Sequence, residues 1–291
     1  MRVPDSIFHR WLLLTLAYGL SINAFAYEGQ AFRVCADPNN LPFSASTQDG
    51  FENRIAEIWA GELGLPLEYT WFPQRRGFVR NTLKALDESG FDYKCDVVMG
   101  VAAAFDQLLT TKPYYRSTYA LVYAKGRGID EVSSGSQFIN LNPEIRDGLK
   151  IGAFTPTPGA KWLARHGMTE QMVAFVAMSG NPEAYPGEII EKEIAGGNLD
   201  AAIVWGPIAG YFASRAEGVD IVVIPLESEP GIQFDFAISA GVRYGDGERK
   251  RALEDLMDST AEPMQAVFAD YNVPLLDLAG APDLSQYDDD D

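Results

Sequence analysis

Residues 201–226 read AAIVWGPIAGYFASRAEGVDIVVIPL and show how this chain folds. Residues 201–205 form an apolar run typical of a buried strand, residues 207–216 indicate a helix, and residues 219–226 indicate a second strand. Buried strands that alternate with helices are typical of parallel sheets covered by helices on both faces. The segment therefore predicts an α/β protein.

The same alternation extends along both halves of the chain. Further strands are predicted at residues 32–36, 65–71, 96–99, 150–154 and 172–178, and helices at 51–63, 78–86, 186–195 and 248–269. Extended stretches at residues 119–124 and 234–239 connect the two α/β units, and residues 126–148 read as a connecting loop. This pattern predicts two lobes on a two-stranded hinge, with the ligand crevice beyond the carboxyl ends of the strands.

The two ends of the chain are predicted to lie outside the lobes. Residues 1–26 combine a basic start, the short apolar run WLLLTLAYGL and the cleavage pattern Ala24-Phe25-Ala26, which is typical of a secretory signal peptide. We predict lobe 1 over residues 27–120 plus 238–287, lobe 2 over residues 121–237, and an acidic tail at 288–291. A periplasmic location without membrane insertion after processing is expected, because the apolar run is too short to span a bilayer.

Composition excludes several classes of function. The chain has 41 acidic and 23 basic residues, a net charge of −18, two histidines and two cysteines. Nucleic-acid binding is not expected of so acidic a protein, and the common hydrolase, metalloprotease, P-loop and EF-hand patterns are missing. After the predicted leader the sole histidine is His166, interpreted as structural at a helix end. We predict a non-enzymatic protein with no catalytic residues and no metal site.

Cys35 and Cys95 each lie in or beside an apolar strand-like run. In an oxidising compartment, neighbouring strands would allow one disulfide between them. The alternative interpretation is two separate buried thiols that act as small apolar side chains. We predict the disulfide.

Four blocks carry a resemblance to a known family. They are RVCADPNNLPFS (33–44), YTWFPQRRGFVRNTL (69–83), LTTKPYYRS (109–117) and WGPIAGY (205–211). In this order they resemble the type II periplasmic solute-binding fold, over nearly all of the chain after residue 26. More specifically, they resemble the MoxJ/XoxJ-type proteins that accompany periplasmic PQQ-dependent methanol dehydrogenases.

The resemblance implies an accessory protein that assists maturation or activation of a PQQ-dependent methanol or alcohol dehydrogenase. The implied partners are that enzyme and its cytochrome c. No cofactor is expected to bind stably, and the only cofactor contact expected is a transient one with the partner's PQQ. The alternative is a solute-binding protein that delivers a small molecule to an ABC-type transporter. A periplasmic dehydratase and a calcium or lanthanide carrier are further alternatives, without an evident acid-base pair or a spaced cluster of oxygen ligands.

Two charged positions argue against an amino-acid carrier. The resemblance implies that amino-acid members of the fold clamp the ligand carboxylate with an arginine after the third strand, but residues 101–109 contain no arginine. Such members also pair the ligand amine with an acidic residue at the end of a late strand, where this chain has Trp205-Gly206-Pro207. A free amino acid would leave both its charges poorly compensated here.

The predicted cleft residues are aromatic and basic. The aromatic candidates are Phe43, Trp71, Phe78, Tyr114, Tyr115, Trp205 and Tyr211, and the basic ones are Arg75, Arg76, Arg80 and Arg116. Such side chains anchor protein interfaces, and the arginines also suit the carboxylates of PQQ. Asp37 and Asn39 complete the set, chiefly as residues that shape a turn. The alternative is structural: Phe78 in the core, Trp71 covering a helix, and Arg75 and Arg76 solvated.

Overall fold

The structure is a computed structural model that describes residues 31–279 except 178, 180 and 182. The predicted signal peptide and acidic tail lie outside the described residues. The strands are β1 (Phe32–Ala36), β2 (Asn39–Asn40), β3 (Ser44–Ala45), β4 (Leu67–Trp71), β5 (Val97–Ala102), β6 (Leu109–Thr110), β7 (Tyr115–Ala124), β8 (Ile151–Thr155), β9 (Met172–Val176), β10 (Ala201–Trp205), β11 (Ile221–Pro225) and β12 (Asp235–Val242). The helices are α1 (Phe51–Leu63), α2 (Phe78–Asn81), α3 (Gly135–Ile139), α4 (Pro143–Arg146), α5 (Pro158–Arg165), α6 (Gly206–Arg215), α7 (Gly247–Ser259) and α8 (Ala261–Asp270), with a π-helical segment at Ile189–Ile194.

Two half-sheets meet at a pair of long strands. In lobe 1, β1 lies parallel between β4 and β5, and β12 pairs antiparallel with β5. In lobe 2, β8 lies parallel between β9 and β10, while β10 and β11 flank β7. β7 and β12 pair antiparallel with each other and so join the half-sheets. The predicted two-lobed α/β fold is confirmed.

Each lobe has its own apolar core. On α1, Ile55 and Trp59 are one helical turn apart, and both are fully buried against the sheet of lobe 1. In lobe 2, Phe138, Trp162 and Phe234 pack together on the α5 side of the sheet. Burial of each such side chain contributes roughly 1.5–3 kcal/mol. These two clusters lie in different lobes, which the strands β7 and β12 connect.

The predicted disulfide is confirmed. Cys35 on β1 and Cys95, just before β5, are bonded with a sulfur–sulfur distance of 2.05 Å. Cys35 lies opposite Val98 on β5, and the path of the chain before β5 brings the Cα atoms of Cys35 and Cys95 to 5.4 Å. Because 60 residues separate the two cysteines, the chain-entropy model gives this bond roughly 4 kcal/mol of stabilisation.

Several predicted elements have different bounds. The helix predicted over residues 78–86 ends at Asn81, because Thr82 leaves the helical conformation at φ −119° and ψ −88°. The helix predicted over residues 248–269 divides at Thr260 into α7 and α8. The predicted loop at residues 126–148 contains the short helices α3 and α4, capped by the side chains of Ser134 and Asn142. Within the described ranges, no helix has the length and apolar character needed to cross a membrane.

Candidate functional site: the cleft between the lobes

The carboxyl ends of the parallel strands lie at the cleft. In lobe 1 these are the ends of β1, β4 and β5, and in lobe 2 the ends of β8, β9 and β10. The segments that follow these strands carry the candidate site, as expected for an open α/β sheet.

Lobe 2 contributes a pocket of about 930 Å³. Its lining comprises Thr155, Pro156, Thr157, Pro158, Ala160, Lys161, Ser228, Glu229, Gly231, Ile232, Gln233 and Phe236. The charged lining groups are already engaged: the Lys161 amine donates to the Gly231 carbonyl at 2.8 Å, and Glu229 lies 3.0 Å from His166 Nε2. Hydroxyls, an amide, apolar side chains and the remaining hydrogen-bonding capacity of Lys161 and Glu229 are left to contact an occupant.

His166 has a structural role, in agreement with the prediction. It lies at the C-terminal end of α5, and its ring packs edge-on against Trp162 at 5.4 Å. Its contact with Glu229 joins α5 to the loop that precedes β12.

Lobe 1 contributes an aromatic and basic rim after β4. Trp71 is half-buried and stacks on Tyr69 with ring centroids 4.5 Å apart. The guanidinium of Arg75 lies 5.6 Å from the Phe72 ring, and the side chain of Arg76 is exposed. We call Trp71, Arg75 and Arg76 the lobe 1 rim. The three residues are close in sequence at the end of β4 and just after it, but Trp71 packs against the lobe 1 core, whereas Arg75 lies over Phe72 beside the disulfide cluster.

Asp37 and Asn39 shape a turn. The Asp37 carboxylate accepts the Asn39 backbone N–H at 2.8 Å and the Gln74 backbone N–H at 2.5 Å. The Asn40 amide donates to Gln74 Oε1 at 2.7 Å. These bonds hold the loop after β1 against the loop after β4, so Asp37 positions the lobe 1 rim.

Three predicted cleft residues are instead buried in cores, which corrects the prediction that they line the rim. Tyr114 packs against Trp59, and its hydroxyl accepts the Gly100 N–H at 3.2 Å. Tyr115, the first residue of β7, packs against Phe51. Phe78 lies in the cluster around the disulfide. Because their aromatic rings are large apolar surfaces, these side chains are buried in the core although they lie near strand ends.

Two predicted arginines lie apart from the lobe 1 rim. Arg116 is in the hinge, where its guanidinium binds the Asp235 carboxylate at 2.5 Å and donates to the Asp277 carbonyl at 3.0 Å. Arg80 is exposed on α2.

Phe43 and Trp205 bridge the lobes. Both pack against the core of lobe 1 and against the α6 side of lobe 2. Trp205 also contacts Tyr119 and Phe236 on the hinge strands, at 5.4 and 5.9 Å between ring centroids. These two predicted residues therefore lie where the two lobes meet.

Tyr211 takes part in a second junction, which we call the lobe contact and define as Gly210, Tyr211, Arg215, Tyr271 and Asn272. Tyr211 stacks on Tyr271 at 5.5 Å, and the Arg215 guanidinium lies 3.8 Å from the Tyr211 ring. A Cβ on Gly210 would lie 1.9 Å from the Asn272 carbonyl oxygen, so only glycine permits this approach. The lobe contact opposes rotation of one lobe against the other.

Glu52 is a buried acid in the first turn of α1. The N-cap of α1 is Gly50, whose N–H donates to Asn53 Oδ1 at 3.1 Å. The Glu52 carboxyl is 9% exposed and covers Gly100, where an added Cβ would lie 2.0 Å from Oε1. Desolvation raises the pKa of Glu52 from its ordinary 4.5 to about 8.

Glu52 makes stability fall as pH rises. Between about pH 4.5 and pH 8 the unfolded chain loses this proton while the folded chain keeps it, so ionisation favours unfolding. We expect Glu52→Gln to remove this fall in the free energy of unfolding, measured by urea denaturation across that range. Glu57→Gln, at an exposed position on the same helix, serves as the control and leaves the wild-type slope. A wild-type slope retained in Glu52→Gln would contradict this role.

The sequence interpretation missed the lobe 2 pocket. The end of β8 at Thr155 is linked to the start of α5 at Pro158 by Pro156 and Thr157. A strand end followed by proline at the first helical position is a recognisable sequence signal for such a segment. The loop at residues 228–233 has no comparable signal. Among the described residues, no group of three or more histidine, cysteine, aspartate or glutamate side chains is placed to hold a metal ion.

Comparison with known proteins places the chain in a family. Protein MoxJ from Paracoccus denitrificans is 28% identical over 258 residues, which cover 84% of this chain and 88% of that protein. The crystal structure of the periplasmic binding protein XoxJ from Methylobacterium extorquens AM1 is 34% identical, with a TM-score of 0.66, and the match covers 85% of this chain and 100% of that one. The chain belongs to the MoxJ/XoxJ-type family of periplasmic binding proteins.

More distant similarity concerns the fold alone. An ancestral cationic amino acid solute-binding protein has a TM-score of 0.64 at 18% identity, over 86% of this chain and 99% of that one. No family model matches the chain. In this chain residues 101–109 contain no arginine, and β10 ends with Trp205. The arginine and the acidic residue expected to bind an amino acid are therefore both missing from those positions.

Proposed function

We propose that this chain is a non-enzymatic periplasmic accessory protein that binds a PQQ-dependent methanol or alcohol dehydrogenase and assists its maturation or activation. Its cleft receives a segment of the dehydrogenase, which contacts the lobe 1 rim and the lobe 2 pocket. Binding one conformation of the partner more tightly than another shifts the partner toward a cofactor-competent state.

The chemistry of the cleft carries this proposal. An aromatic ring and two arginines lie at the lobe 1 rim, and such side chains dominate the binding energy of protein interfaces. The lobe 2 pocket, at about 930 Å³, has room for several side chains of a bound segment.

Contacts beyond the dehydrogenase polypeptide are part of the same proposal. The chain binds no cofactor stably, and Arg75 and Arg76 contact the carboxylates of the partner's PQQ only transiently. The cytochrome c of the dehydrogenase is a second partner.

The alternative function is delivery of a small solute to an ABC-type transporter, and the volume of the lobe 2 pocket favours it. Carriers of this kind close their lobes around the solute. In this structure the lobe contact already joins the two lobes through the Tyr211–Tyr271 stack and the approach of Gly210 to Asn272.

We expect the double variant Trp71→Ala/Arg75→Glu to bind the dehydrogenase of the same organism at least about thirtyfold more weakly than wild type. Loss of a central aromatic anchor and reversal of a charge together remove about 2 kcal/mol or more of binding energy. The measurement is biolayer interferometry with the purified mature chain.

Arg251→Glu, with the same charge reversal on an exposed part of α7, is the matched control and keeps wild-type affinity. Near-ultraviolet circular dichroism verifies that each variant is folded. Unchanged affinity in a folded double variant would contradict the proposed surface.

A further inference from the structure

β9 is the outer strand of lobe 2. Within the part of the chain that the structure describes, it is the last strand of its half-sheet and pairs with β8 alone. The Ile151 N–H donates to the Gln171 carbonyl at 2.8 Å, and the Ala177 N–H donates to the Thr155 carbonyl at 3.4 Å. In a parallel pair, alternate residues bond to the same neighbour, so this pattern directs the N–H and C=O groups of Ala174 and Val176 away from β8. These groups point outward at the edge.

Residues 171–177 themselves carry none of the usual protection against pairing. Natural edge strands carry lysine, proline, inward-pointing charge or a bulge that prevents contact with another chain. β9 reads MVAFV, its register with β8 is continuous, and residues 171–177 contain no charged residue and no proline. Val173 is 38% exposed and Val176 is 69% exposed. The opposite edge strand, β4, carries the exposed Glu68.

The sequence of β9 is self-complementary about its middle residue. In a two-fold antiparallel pairing, Ala174 would face Ala174 of the second copy, and Met172 would face the second copy's Val176. The backbone N–H and C=O groups of Ala174 and Val176, together with the Met172 carbonyl, would then form about four hydrogen bonds between the two copies. The Met172 N–H is already directed to the Thr169 carbonyl at 3.3 Å. Alanine at the axis avoids a steric clash, and the flanking pairs are apolar.

We propose that β9 is a homodimerisation edge, where two copies of this chain pair antiparallel and extend their half-sheets into one continuous sheet. A second copy fits better than a charged partner, because the strand offers no ionisable group to recognise and is complementary to itself. The net charge of −18 on each copy opposes association, so salt strengthens the dimer by screening that repulsion.

The test is sedimentation velocity of the mature chain over a range of protein concentrations and at two ionic strengths. We expect a monomer–dimer equilibrium that shifts toward dimer as protein or salt concentration rises. Ala174→Lys places a charge on the axis and should weaken the dimer at least tenfold. Ala174→Pro removes the outward N–H without removing a hydrogen bond to β8, and should have the same effect.

Thr169→Lys adds the same charge at an exposed position before the strand and leaves the dimer intact. A chain that stays monomeric up to sub-millimolar concentration would overturn the proposal. So would a dimer unaffected by both Ala174 variants, or one that dissociates as salt is raised. Circular dichroism establishes that each variant keeps its fold.

Discussion

Asp96→Ala is expected to lower the free energy of unfolding by roughly 3–5 kcal/mol. The Asp96 side chain is 3% exposed, and its carboxylate lies 2.8 Å from nitrogens of Arg33, Arg243 and Arg249. Removal of the carboxylate leaves three guanidinium groups facing one another with less compensation, because Asp92 and Asp246 are the acids that remain bonded to them. Urea denaturation followed by circular dichroism measures the loss.

Glu57→Ala is the matched control for this prediction. Glu57 pairs with Arg54 at 3.2 Å on an exposed face of α1, and such surface pairs contribute about 0–1 kcal/mol. Asp96 joins Arg33 on β1, Arg243 just after β12 and Arg249 on α7. Similar losses in Asp96→Ala and Glu57→Ala would contradict a stabilising role for this buried cluster.

Gly210→Ala is expected to destabilise the protein by about 1–3 kcal/mol and to loosen the junction between the lobes. The added Cβ would lie 1.9 Å from the Asn272 oxygen and 3.0 Å from its carbonyl carbon. Backbone atoms cannot rotate away, so α6 or the segment after α8 has to move, and the Tyr211–Tyr271 stack moves with it. The measurement is the urea midpoint.

Gly61→Ala provides the contrast, because Gly61 also lies in a helix but an added Cβ would have no neighbour within 4 Å. There the substitution should stabilise the protein by up to about 1 kcal/mol, since alanine has the higher helix propensity. Equal effects of the two substitutions would contradict the close approach at the lobe contact.

The fold was predictable because its signals are local. The apolar strands and the glycine and proline residues at their ends define the alternation of elements, and the two hinge stretches follow from that alternation. The disulfide was predictable because both cysteines lie in or beside runs that become neighbouring strands, β1 and β5. Element ends were less accurate where side chains decide them, as at Thr82, whose hydroxyl donates to the Phe78 carbonyl at the end of α2.

The cleft was only partly predictable because an aromatic residue at a strand end can face either way. Trp71 is half-buried at the margin of the lobe 1 core, but Tyr115 is buried within it, and the sequence pattern is the same for both. The direction depends on partners distant in sequence, such as Phe268 on α8, which packs against Tyr115 at 5.0 Å. The raised pKa of Glu52 likewise comes from burial beneath residues distant in sequence, such as Gly100 on β5.

Hydrogen–deuterium exchange of this chain, alone and with the PQQ-dependent dehydrogenase, tests the central proposal most directly. We predict that the complex slows exchange of backbone amides at residues 72–77, which carry Arg75 and Arg76, and at residues 155–161 and 228–236, which form the lobe 2 pocket. Both sides of the cleft should respond together because one segment of the partner contacts both. Slowed exchange confined to regions outside the cleft, or no change at saturating dehydrogenase, would contradict the proposal.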